Sequence, residues 1–66
     1  MSRVAQLEAA ANWNGTKGAE LYRQQAFVKN GNLQATMLLD AARHFRTHDR
    51  LRRAIWTLSH TRAGRH

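Results

Sequence analysis

Sixty-six residues and 7.6 kDa leave room for one small domain, residues 1–66, and exclude a second. Cysteine is absent, so no disulfide can reinforce a core that is small for folding alone. Eleven Lys and Arg oppose four Asp and Glu for a formal charge of +7 and a pI near 11.7, a balance that directs the surface toward polyanions or acidic proteins.

The opening stretch is interrupted by Gln6 and Glu8, so no export signal is expected there. No apolar run exceeds three residues, far below the roughly 20 needed to cross a bilayer. The expected location is therefore the cytoplasm, or a host's cytoplasm if the protein is phage-encoded. Proline is absent and Ala, Arg, Leu and Gln dominate, which favours helix throughout.

Ser2 is placed to cap a first helix over residues 3–12, with Val4, Leu7 and Ala11 on one face and Asn14-Gly15 as its stop. Thr16 is placed to cap a second, over 17–29, carrying Ala19, Tyr22 and Ala26 on one side, Leu21 and Val28 on another, and Phe27 between. Asn30-Gly31-Asn32 is the clearest punctuation: Gly31 suits a left-handed helix cap, Asn32 can start the next helix, and a tight helical hairpin follows. A long third helix then spans 33–59, leaving 60–66 as a basic tail. Projected at about 100° per residue, Leu33, Met37, Leu38, Ala41, Phe45, Leu51, Ile55, Trp56 and Leu58 share a broad apolar arc. Thr47-His48-Asp49 is a potential break. Unbroken, this helix is roughly 40 Å long, more than the second helix can cover, so its far end needs the first helix or another chain. The expected fold is all-α, a hairpin of two to three helices with a long C-terminal helix, completed by homodimerisation.

Away from that arc, Arg43, Arg46, Arg50 and Arg53 recur at i, i+3, i+7 and i+10, a ridge about 15 Å long on one helical face. Asp40 and Asp49 lie at its edges, and Asp49 is spaced to pair with Arg53. Four like charges so placed repel one another, and phosphates or carboxylates docking alongside relieve the repulsion. A merely solvated face would alternate its signs. Trp56 lies one turn beyond Arg52 and Arg53, where its ring can cap the core or stack on a base or partner. Arg52 falls inside the apolar arc, and has to reach out to solvent or pair across an interface.

Other chemistries have less support. In a helix-turn-helix frame, Ala26 is five residues before Gly31 where four are required, and Leu33 to Leu39 offers little to base edges. Asp40, His44 and His48 follow at i, i+4 and i+8, spread over roughly 12 Å, too far to meet at one ion; no metal or other cofactor is expected. There is no thiol, Gly-rich phosphate loop or HExxH, and no paired carboxylates, so the protein is not expected to be an enzyme.

Two binding functions remain. In the first, a basic helical regulator binds nucleic acid with low sequence specificity through Arg43, Arg46, Arg50 and Arg53, assisted by Arg52, Trp56 and the tail residues Arg62 and Arg65. A two-helix dimer with this face is similar in architecture to small plasmid RNA-binding hairpin dimers. In the second, a phage- or plasmid-type inhibitor or adaptor docks in an acidic groove of a target protein. Leu39, Phe45, Leu51, Ile55 and Leu58 are its candidate interface residues, Leu39 standing among the arginines away from the core. A homodimer is expected in both cases, with neither a small-molecule substrate nor a membrane as partner.

Overall fold

The computed structural model describes residues 2–64, with side chains as far as 60. It holds two helices, α1 (Arg3–Gln25) and α2 (Gly31–Gly64), folded back on each other as one hairpin. The two short helices expected before the turn are therefore one. No third helix is present among the described residues, and the basic tail expected from residue 60 is helical backbone as far as Gly64. At about 1.5 Å per residue the 34 residues of α2 extend about 51 Å, in keeping with overall dimensions of 55 × 19 × 12 Å.

The ends of α1 follow local chemistry. Ser2, in extended conformation, accepts a hydrogen bond at Oγ from the Ala5 amide at 3.1 Å and caps α1 as its sequence suggests. At the far end Ala26 keeps right-handed helical angles, and its amide donates to the Arg23 and Gln24 carbonyls. The turn is built differently from the expectation. Asn30 is the cap of α2: its Oδ1 accepts from the amides of Asn32 at 2.9 Å and Leu33 at 3.1 Å. No glycine among the described residues has a positive φ, so Gly31 is the first residue of α2 and not a left-handed stop. The side-chain amide of Gln34 donates to Oε1 of Gln25 at 2.8 Å and to its carbonyl at 3.1 Å. This ties the start of α2 to the last turn of α1, where the Gln25 carbonyl also accepts from the Val28 amide at 3.1 Å.

The helices meet along a seam whose spacing alternates three and four residues. Val4, Leu7, Ala11, Asn14, Gly18, Leu21 and Gln25 form the α1 side; Gln34, Met37, Ala41, His44, His48, Leu51 and Ile55 form the α2 side. All are buried or half-buried. This is the heptad pattern of a coiled coil, run antiparallel. Its most buried members are Ala11, 0% exposed, Ala41, 2%, and Ile55, 8%, with Gly18 also buried, so three of the four are small. At the open end Ser2, Arg3 and Val4 share a hollow of about 210 Å³ with Leu58 and Ser59. The expected length problem is thus solved within the chain, because the fused α1 reaches the far part of α2.

Close approach explains why the Asn14-Gly15 stop fails. A Cβ on Gly18 would lie 2.9 Å from the Phe45 ring, and one on Gly15 would lie 3.1 Å from the His48 ring. The two glycines make a notch for those rings, and what they cost α1 in helix propensity is offset by contact with α2. Asn14 is held within the helix, its Nδ2 donating to the Ala10 carbonyl at 2.9 Å, while its Oδ1 lies 2.9 Å from Nδ1 of His44. Thr16 consequently lies exposed in mid-helix and caps nothing.

The notch makes a contrast between two glycines. Gly18→Leu is expected to lower the unfolding free energy by about 1–3 kcal/mol by overpacking against Phe45. Gly31→Ala, whose Cβ would meet nothing within 4 Å, is expected to raise it by about 0.5 kcal/mol. Urea melts of the two variants check both signs.

Candidate functional site

The seam decides where every other residue of α2 points. α2 is continuous through Thr47-His48-Asp49, so the break considered there does not occur: the polar trio contributes His48 to the seam, and Leu51 and Ile55 resume its apolar side. With the seam fixed on Ala41, His44, His48 and Leu51, the arginines at 43, 46, 50 and 53 fall on the side of α2 turned away from α1. All four are exposed. Arg46, Arg50 and Arg53, together with Asp49, line one shallow depression of about 270 Å³. Arg43 stands one turn earlier, its guanidinium 3.8 Å from an oxygen of Asp40.

The neutralisation of this ridge is weak. Asp49 does not form the expected pair with Arg53 among the described contacts; its carboxylate lies 3.4 Å from Nδ1 of the neighbouring His48 and is 75% exposed. The Arg43–Asp40 pair is also solvent-exposed, in the class of contacts that contribute little to stability. Charge is distributed unevenly as well: α1 carries three basic and two acidic residues, α2 six and two. The positive field is therefore concentrated on one helix, on the side away from its neighbour.

Around the ridge the remaining candidates separate. Arg52 is exposed beside the seam, in keeping with the first of its two expected outcomes, reaching out to solvent. Trp56 is 61% exposed, so it does not cap the core. Its ring lies against His60, centroids 4.1 Å apart at 40°, a partner one helical turn later that the sequence reading passed over. Leu39 is 60% exposed one turn before Arg43, at the start of the ridge. Arg62 lies on helical backbone, but its side chain, and Arg65 altogether, fall outside the described residues.

The apolar interface set divides differently from its expectation. Leu51 and Ile55 face α1, and Leu58 borders the hollow beside Val4, so these three belong to contacts within the chain. Phe45 packs one edge into the Gly18 notch and leaves 39% of its surface exposed. Leu33, Leu38 and Trp56, placed with them in one arc, stand outside the seam. His44 and His48 are half-buried against α1. His44 also meets Trp13 edge-on, at 5.5 Å and 74°.

The arrangement can hold an extended anionic partner along one side of α2, with guanidinium groups free to form paired hydrogen bonds to its oxygens. Asp49 opposes that attraction from inside the depression. Asp49→Asn is therefore expected to tighten retention on an immobilised polyanion by about two- to fivefold in affinity, the scale of one exposed charge interaction. Stepwise salt elution of the variant beside the wild type checks this. No family model, curated protein or solved structure matches the chain, so the site is characterised by its own geometry.

Proposed function

We propose that this protein is a non-enzymatic, dimeric basic regulator of the cytoplasm that binds nucleic acid with low sequence specificity through the ridge of α2. The observation that carries this reading is the shared depression of Arg46, Arg50 and Arg53, extended by Arg43 one turn away. Guanidinium groups spaced along about 15 Å of helix suit the repeated phosphates of a backbone. Backbone charge is the attraction this reading invokes, since the face repeats arginine along the helix and carries none of the Asn or Gln side chains that read adenine edges. Trp56, largely exposed at the same end of α2, adds a surface on which a base can stack.

A second reading is supported by Leu39. An apolar side chain 60% exposed at the head of an arginine ridge suits an acidic protein groove with an apolar floor better than a phosphate track. In that case the protein is an inhibitor or adaptor that docks through the same face.

Affinity for a short DNA duplex, measured across a salt series, is expected to fall with a log-log slope near −3.6, about 0.9 for each of four phosphate contacts. A flat dependence overturns the phosphate track. Arg46→Glu combined with Arg50→Glu is expected to abolish binding with helicity unchanged by far-UV circular dichroism. Capture from lysate with and without nuclease separates the readings: loss of all partners supports nucleic acid, and a stoichiometric protein that survives supports the second.

A further inference from the structure

The hairpin exposes more surface than a self-sufficient domain of its mass. Its accessible area is 5377 Å², whereas a compact monomer of 7.6 kDa exposes about 4,300 Å². Its radius of gyration is 15.5 Å, against about 11 Å for a compact fold of this length. The excess of roughly 1,100 Å² is close to what each partner contributes to a stable dimer.

That surface has two unlike sides. Beside the seam on one side stand Lys17, Glu20, Asp40 and Arg43, in two exposed ion pairs, with Trp13 and Leu33 among them. On the other side the flanking heptad positions hold Ala19 and Tyr22 from α1 and Ala35, Leu38, Ala42 and Phe45 from α2. This strip contains no charge. Tyr22 is 58% exposed, and Leu38 and Phe45 39% each. Its alanines repeat between the larger residues, the pattern that lets helices pack at the usual 8–10 Å or closer. The strip ends where Asp49 and Arg52 begin.

We infer that a second copy of this chain covers the strip of Ala19, Tyr22, Ala35, Leu38, Ala42 and Phe45, completing a four-helix bundle. This rests on the dimeric state proposed above and names its face. A second copy is favoured as occupant because two chains of +7 repel each other at most contacts, and the uncharged strip is where two hairpins meet without opposing arginines. The missing area also matches one further hairpin, and the arginine ridges remain on the outside of the bundle.

The test uses the whole chain. Sedimentation equilibrium of the wild type is expected to give twice 7.6 kDa. Leu38→Lys and Ala42→Glu, both at exposed positions, are expected to weaken self-association on the order of 100-fold or more, with helicity retained. Leu39→Lys, on the ridge, is expected to leave it unchanged. Because cysteine is absent, Ala42→Cys gives a readout independent of these charge changes: mild oxidation is expected to link two chains, whereas Leu39→Cys is not. A monomeric wild type overturns the dimer and the face together. A dimer that tolerates both charged variants and cross-links through Leu39→Cys overturns the face alone.

Discussion

Where α1 and α2 come closest, Gly18 leaves the space that the Phe45 ring occupies, and one turn away Gly15 does the same for His48. A methyl group at Gly18 would force the Phe45 ring to move or the helices to part, and one at Gly15 would need the His48 ring to give by a few tenths of an ångström. The rest of the molecule depends on this approach. It brings Asn14 to His44, settles which residues of α2 lie inward, and lets a helix of 23 residues continue through a sequence that local preference would interrupt. Helix propensity and packing disagree at Asn14-Gly15, and packing wins because contact is gained along the whole seam.

The polar members of that seam supply specificity. Two helices joined mainly by alanine, leucine and valine could slide past one another by a heptad at small cost. The Asn14–His44 contact and the Gln25–Gln34 pair have few substitutes in a shifted register, as buried polar groups in coiled coils often do. The seam also sorts the chemistry of α2. Residues spaced to meet α1 are small, apolar or hydrogen-bonded, and the residues two positions after Ala41, His44, His48 and Leu51 are arginine. Thus the basic ridge is a consequence of helix register, and an insertion of one residue near Ala41 would turn it toward the neighbouring helix.

Helical class, the capping Ser2, the turn near Asn30 and the grouping of four arginines were legible in the sequence because each depends on neighbours within a turn or two. The seam was harder to see. Its positions include Asn14, Gly18, Gln25, Gln34, His44 and His48, which an apolar projection does not count. Meanwhile Leu33, Leu38 and Trp56, which that projection weights heavily, are exposed. The alternating three-four spacing is present in both helices, but it emerges when small and polar residues are allowed as seam members. The fate of Asn14-Gly15 required knowing which ring lies opposite. Likewise, Leu51 and Ile55 could be assigned to α1 only after the first two expected helices had become one.

The tie between Gln25 and Gln34 spans nine residues, whereas that between Asn14 and His44 spans thirty. Closing the longer loop directly from an open chain costs about 1 kcal/mol more in entropy than closing the shorter. Assembly is therefore favoured to begin at the turn and zip outward, each closed contact shortening the loop that remains for the next. By the same loop-closure argument, opening is favoured to start at the end where Val4 and Leu58 meet. Kinetically, the hairpin is a zipper hinged at Asn30, and the guanidinium groups nearest its free end stand on the part of the pair that separates earliest.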